Sequence, residues 1–281
     1  MPQDHTSNPS SNMRARTPPA GPSRQSQTGK FVFPGSLSLH MKRLRKGENE
    51  NDYKALHNLR YQVYCHEAHF LNPDNYPAGL EIDEFDAVSE HFLAANAASN
   101  DDIVGTVRLV RWSQHLLFPT AVYFESLLEH LGRLKFPLDS TAEISRLCIS
   151  KQYRRRAMDG LLGVETSKGR RAIDGLLGVE TKKESSHGRR RYPEVILELF
   201  KTIYFSSRFD LGITHWIATF EDSLYRLLNR YGVHFTLITP DEINYYGKVR
   251  IYGASIRQVE ETMKLNRPDL FAFFCEQADH A

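Results

Sequence analysis

The run Glu143-Ile144-Ser145-Arg146-Leu147-Cys148-Ile149-Ser150 places the tightest limits on how this chain folds. It reads as a buried strand, yet it carries an acid and a base three residues apart. Isolated charges are rarely buried without a partner or a task. Strict alternation sends Glu143 and Arg146 to opposite faces of a strand. They share a cleft only if the strand is bulged, and bulges are over-represented beside active sites. The plain alternative is a structural ion pair at a strand end.

The segments around this run set the fold class. Tyr53, Leu56, Leu59, Arg60, Val63 and Tyr64 recur at helical spacing, so 51–69 is expected as an amphipathic helix with Arg60 and Tyr64 one turn apart. Pro73 and Pro77 end it, and an acidic cluster follows: Glu81, Asp83, Glu84 and Asp86. Strands are expected at 91–97 and 103–112. Ser99-Asn100-Asp101-Asp102 turns the chain between them, and Gly105 marks a bulge or a close backbone approach. A helix is expected at 121–132, then the opening strand at 142–150. Beyond it come a helix at 193–209, a strand at 214–220, a helix at 224–231 stopped by Gly232, strands at 234–239 and 248–255, and helices at 256–264 and 268–277. Antiparallel strands come first and a strand–helix–strand crossover later. This is an α/β chain with a mixed, mostly antiparallel sheet and helices on both faces.

Residues 1–29 are rich in Ser, Pro, Gln and Asn without apolar periodicity, and are expected to be a disordered tail ahead of one domain at 30–281. Within that domain, 155–169 (Arg155 to Gly169) is followed at once by a near copy at 170–184 (Arg170 to Glu184). Two units are too few for a solenoid, so a duplicated surface insert over 154–191 is expected. The insert is basic, either as a solvated loop or as a docking patch for an acidic partner.

Composition excludes several classes. A net charge of +2 does not argue for nucleic acid. Cys65, Cys148 and Cys275 are too few and too far apart for a disulfide framework or a cysteine-rich zinc site, which fits a reducing compartment. No apolar run approaches the roughly 20 residues of a membrane span, and no secretory h-region is seen, so a cytoplasmic location is expected. His66 and His69 could share a helical face, but no third ligand lies near, so no metal is expected. Cys65 is expected to be packed, and Trp216, Phe271, Phe273 and Phe274 to belong to the core.

Four ordered blocks carry a family resemblance. They are Arg60-Tyr61-x-Val63-Tyr64-Cys65; Glu81-x-Asp83-x-x-Asp86; Val104-Gly105-Thr106-x-Arg108-Leu109; and Glu143-x-Ser145-Arg146-Leu147. Together they resemble the acyl-homoserine-lactone synthase branch of the GNAT acyltransferase superfamily. The second half, through Tyr192-Pro193-Glu194, Leu211–Trp216, Arg226–Phe235 and Arg267-Pro268-Asp269, is similar to acyltransferases of PEP-CTERM/exosortase systems. N-acyl amino acid synthases are the structural neighbours that suggest a product. Two departures stand out. No Trp lies between Arg60 and Glu81, Phe70 being the nearest large apolar residue, which weakens S-adenosylmethionine as acceptor. The segment after Ser150 lacks a Gly-x-Gly pyrophosphate cradle and offers Tyr153-Arg154-Arg155-Arg156 in its place.

The resemblance implies a GNAT-like fold and acyl transfer from a thioester to an amine. The donor would be acyl carrier protein or coenzyme A, the acceptor a small amine such as an amino acid, with no permanently bound cofactor. An acidic carrier protein would dock on Arg154, Arg155 and Arg156. The amine must lose a proton before attack, and Glu143 is the expected general base, oriented by Arg146. Backbone N–H groups freed by a bulge near 144–147 would hold the oxyanion. Arg108 and Arg146 are the cations that pair Asp83, Asp86 and Glu143, or that grip an acceptor carboxylate. Arg60, Tyr64, Glu81, Asp83, Asp86, Ser145 and Leu147 are the expected substrate-binding set. The alternatives are lactone synthesis from S-adenosylmethionine and a catalytically silent GNAT-fold binding protein.

Overall fold

A computed structural model describes residues 37–45, 47–99, 102–153, 192–245 and 247–276. The expected tail at 1–29, the duplicated insert and Arg154–Arg156 lie outside the described residues.

One sheet organises the chain. Its strands are β1 (Leu39–Leu44), β2 (Ser89–Asn96), β3 (Asp102–Arg111), β4 (Thr141–Ile149), β5 (His215–Phe220), β6 (Thr236–Leu237), β7 (Ile243–Asn244) and β8 (Lys248–Ser255). They lie in the order β1-β2-β3-β4-β5-β8-β6, with β7 paired to β8. Every pairing is antiparallel except β4 with β5, the product of the long crossover between them. The expected hairpin is β2–β3. β1, on the sheet edge, was not anticipated, because His40, Lys42 and Arg43 break up its apolar pattern.

Alternation along β2 and β3 sorts side chains between two helical layers. Phe92, Ala94, Val107 and Leu109 join a core under α3 (Tyr192–Phe205) with Val195, Leu199 and Phe200. His91 and Arg108 face the other way, toward α1 (Glu50–Tyr61). α1 is started by the Asn49 side chain, which accepts from the Asp52 N–H, and by Glu50 and Asp52 in its first turn. It runs into a π-helical stretch at Gln62–Glu67, which carries Tyr64 into the interior. The remaining α-helices are α2 (Leu127–Arg133), α4 (Asp222–Arg230), α5 (Ile256–Asn266) and α6 (Pro268–Cys275). The helix expected at 121–132 is shorter than its pattern. Pro119–Val122 forms a 3-10 turn, and α2 begins only at Leu127. The strand expected at 234–239 shrinks to two residues.

Gly105 is a close approach, as expected. A Cβ there would sit 2.6 Å from Ile149 Cδ1 and 3.1 Å from the Cys148 carbonyl oxygen. Three of the four aromatics expected in the core are there, and Phe271 is half-buried against it. Trp216, Phe273 and Phe274 are buried, and the Trp216 indole donates to Ser207 Oγ at 3.0 Å.

Candidate active site

β4 carries a bulge, the condition under which Glu143 and Arg146 could share a cleft. Ser145 pairs with Arg108 and Cys148 with Thr106, so Arg146 and Leu147 stand opposite the single Val107. Arg146 takes a positive φ of 50°, a conformation that costs a non-glycine residue about 1–2 kcal/mol. The extra residue resets the alternation. Ile144 and Leu147 stay with the α3 core, while Arg146 joins Ser145 and Arg108 over the acidic cluster.

The acidic cluster is built before it meets the arginines. Asp83 accepts from the Phe85 N–H, and Asp86 accepts from the Asp83 N–H at 2.8 Å, a reciprocal capping box. Three arginines from three elements then close a ring with three carboxylates. Arg60 of α1 bridges Glu81 and Asp86, the latter at 2.8 Å. Arg108 of β3 bridges Asp86, at 2.7 Å, and Asp83. Arg146 of β4 bridges Asp83 and Glu81, both at 3.0 Å. Charges alternate around the ring and leave no net charge. Burial works against Asp86 and Glu81 as anions, but Arg60 with Arg108, and Arg60 with Arg146, outweigh it and hold both carboxyls below their ordinary range. Burial also opposes the charge on Arg146, and Glu81, Tyr245 and Asp83 more than restore it.

Beside this ring the sheet opens. β4 and β5 pair only from Thr141 with His215 to Ile144 with Ala218. Past that point the bulged β4 and the end of β5 separate around a cleft of about 680 Å³, mouth included. Tyr64, Phe70, Ile144, Leu147, Phe220, Leu224, Tyr245 and Val249 make its walls largely apolar, with Ser145 and Arg146 at one side and Glu221 at the other. The Tyr64 hydroxyl donates to the Leu147 carbonyl at 3.3 Å, which ties the π-helical stretch to the bulge.

The expected site residues therefore fall into two groups. Tyr64, Ser145, Arg146 and Leu147 line the cleft. Arg60, Glu81, Asp86, Arg108 and Glu143 are buried behind it, and Asp83 is only slightly exposed. Of the two roles expected for Arg108 and Arg146, pairing the carboxylates or gripping an acceptor, the first is seen: Arg108 pairs Asp83 and Asp86, and Arg146 pairs Asp83 and also Glu81. Glu143 is fully buried and makes its hydrogen bonds to Thr120, whose N–H donates to Oε2 at 3.0 Å and whose hydroxyl donates to Oε1 at 2.9 Å. The expected Arg146–Glu143 pairing is corrected on this point. The guanidinium is drawn to Glu81 and Asp83, and acts on Glu143 only through space. Burial pushes the Glu143 carboxyl up to about 7, against the two Thr120 hydrogen bonds and the charges of Arg108 and Arg146.

Sequence reasoning missed Thr120, Tyr245 and two histidines, because partners so far apart in the chain leave no local pattern. Tyr245 accepts from Arg146 Nη1 at 3.3 Å and packs at a tilt against Tyr123, with ring centroids 4.4 Å apart. His57 and His91 flank the ring. The Glu81 carbonyl accepts the Nδ1–H of His57 at 2.8 Å, so His57 Nε2 is a lone pair facing inward. Burial holds His57 down at about 4 and His91 at about 3, so both are neutral. Ligand atoms of His57, Asp86 and His91 lie within 4.8 Å of one another. A divalent cation there would share its carboxylate with two guanidiniums inside a neutral ring. Its charge would go uncompensated, so the trio does not fit a metal.

A family model described as an acetyltransferase (GNAT) domain matches residues 59–164, which run from the last residues of α1 through the whole of β4 and its bulge. The whole fold is GNAT-like. BjaI, a CoA-dependent acyl-homoserine lactone synthase solved with SAM and isopentyl-CoA, superposes with a TM-score of 0.51 at 15% identity, covering 84% of this chain and 98% of BjaI. TofI, solved in a ternary complex with an inhibitor and MTA, gives 0.50 at 16% identity over 82% of this chain and 98% of its own. FeeM, an N-acyl amino acid synthase from uncultured soil microbes, gives 0.48 at 12% identity over 80% of this chain and 94% of its own. For BjaI and TofI, at these identities, the likeness is one of fold. No curated protein matches the sequence. Among the described residues no helix is long and apolar enough to cross a membrane.

Proposed function

We propose that this chain is an N-acyltransferase that moves a long acyl group from a thioester donor to the amine of a small acceptor such as an amino acid. The observation that carries this reading is the apolar cleft opened by the β4 bulge, with a buried carboxylate of near-neutral pKa behind its wall. An acyl chain needs apolar walls, and Phe70, Leu147, Phe220 and Leu224 supply them. The thioester carbonyl would lie against Arg146–Leu147, where the two-against-one bulge takes a backbone N–H out of the strand ladder and leaves it to hold the oxyanion. A base of pKa near 7 suits proton removal from an ammonium at neutral pH. Glu143 turns from the cleft toward Thr120, so the proton reaches it through a water or hydroxyl relay. The ion ring holds α1, β3 and β4 in register around this geometry. In this reading Arg60, Glu81, Asp83, Asp86 and Arg108 shape the acceptor side of the cleft, and Ser145 steadies Arg108 through a 3.0 Å hydrogen bond.

The donor is proposed to be carrier-protein-borne, with Arg154–Arg156 as the docking charges. Work alongside PEP-CTERM/exosortase systems, in the cytoplasm, is part of the same proposal and rests on the sequence motifs alone.

Purified protein incubated with acyl carrier protein or coenzyme A thioesters and a panel of amino acids, followed by mass spectrometry, tests the reading. An N-acyl product from one acceptor class is expected. Methylthioadenosine release from S-adenosylmethionine would show lactone synthesis instead. Intact thioester with every acceptor would point to a binding protein. Reversing the charges of Arg154–Arg156 is expected to weaken carrier binding in a salt-dependent way, and unchanged affinity would remove the docking role.

A further inference from the structure

Glu143 is fully buried, and no cation among the described residues forms a salt bridge with it. Its charged neighbours act at a distance. They are Arg108 on β3 and Arg146 on β4; the Tyr245 phenol ahead of β8 is a neutral neighbour, and the strand partners Val110 and Ile217 are apolar. The carboxylate oxygens instead meet one residue from outside the four sequence blocks. Thr120 is itself fully buried, and its backbone N–H and hydroxyl each donate to a different oxygen.

The local chain is built to present that pair of donors. Pro119 occupies the first position of the Pro119–Val122 turn, where its missing N–H costs nothing. The Phe118 carbonyl accepts from the Ala121 N–H at 2.9 Å, which leaves the Thr120 N–H pointing out of the turn at Glu143. Phe118 is buried against Trp112 and Ile217 and Ala121 is buried beside it, so the turn is anchored from both sides. The Thr120 N–H can only donate; the hydroxyl can turn to serve either form of the acid, but its hydrogen bond to a carboxylate is the stronger one.

We infer that Thr120 is a positioning residue that favours the ionised form of Glu143 against burial and aims it behind the cleft. This inference rests on the proposed acyltransfer, with Glu143 as its base. It adds a residue that the family-like blocks do not contain. The hydroxyl hydrogen bond favours the charged form, as burial disfavours it. Removing a hydrogen bond to a charged group is worth about one pH unit in the carboxyl's midpoint.

The test is Thr120→Val, which keeps the shape and the N–H but removes the hydroxyl, with Thr120→Ser as the conservative rescue. Infrared difference titration of the Glu143 carboxyl, identified by its loss in Glu143→Gln, reads protonation without any turnover. The expected midpoint in Thr120→Val is about one pH unit above wild type, with Thr120→Ser at the wild-type value. The acid limb of kcat/KM should move by the same amount, a roughly fivefold loss at neutral pH that is recovered in alkaline buffer. Damage to packing alone would lower activity at every pH. If Thr120→Val does not fold, Thr120→Ala reads the same shift. An unmoved midpoint in the folded variant overturns the inference. A moved midpoint in a protein that acylates nothing leaves the clamp standing and removes the proposed reaction.

Discussion

Replacing Glu143 with glutamine removes one buried charge and keeps the shape of the side chain. The amide oxygen can accept from the Thr120 N–H, and the amide N–H₂ can donate to the Thr120 hydroxyl, so no partner is orphaned. The consequence for stability depends on pH, and its sign follows from linkage. Burial raises the carboxyl from 4.5 to about 7 in the folded chain. Between those values the folded state binds more protons than the unfolded state, so wild-type stability falls as pH rises through that window. At about 1.4 kcal/mol per pH unit, the loss reaches about 3 kcal/mol on the alkaline side. The glutamine variant has no such slope. Urea unfolding followed by circular dichroism, at about pH 5 and about pH 8, is the assay. The variant is expected to match wild type in acid and to exceed it by up to about 3 kcal/mol in base. Turnover is expected to fall roughly 100- to 10,000-fold at the same time. A stability difference that does not change with pH would refute the reasoning, because it would mean that burial does not perturb Glu143.

Three further perturbations read other parts of the structure. Arg60→Met opens the ion ring and leaves Glu81 and Asp86 each short of a cation in the interior; a loss of about 3–5 kcal/mol in urea unfolding is expected, and a loss under about 1 kcal/mol would mean the ring is replaceable. Gly105→Ala drives a methyl into Ile149 and the Cys148 carbonyl, with an expected cost of about 1–3 kcal/mol and a lower thermal midpoint; an unchanged midpoint would show that β3 and β4 can part. Cys65 and Cys148 are buried, the Cys148 thiol being pushed up to about 12 by burial, whereas Cys275 is exposed. Under native conditions a thiol reagent should therefore label Cys275 and spare those two until the protein is unfolded, and fast labelling of either would contradict the packing.

Local pattern determined much of this protein by itself. Apolar periodicity placed the strands 91–97, 103–112 and 142–150 and the helices at 193–209 and 268–277 close to where they stand, because each buries a continuous face. The acid–base spacing in Glu143–Arg146 raised the possibility of a bulge, and β4 has one, with Arg146 at φ 50°. Tertiary structure alone decided which charges meet. Arg60, Arg108 and Arg146 come from α1, β3 and β4, and they close on Glu81, Asp83 and Asp86 only when the sheet brings those elements together. Sequence spacing names the charged residues but not their partners, since an ion pair is chosen by distance in space and by what burial leaves unpaired. So the base expected to lean on Arg146 leans instead on Thr120, delivered by a turn at Pro119–Val122 that overlaps the helix expected at 121–132.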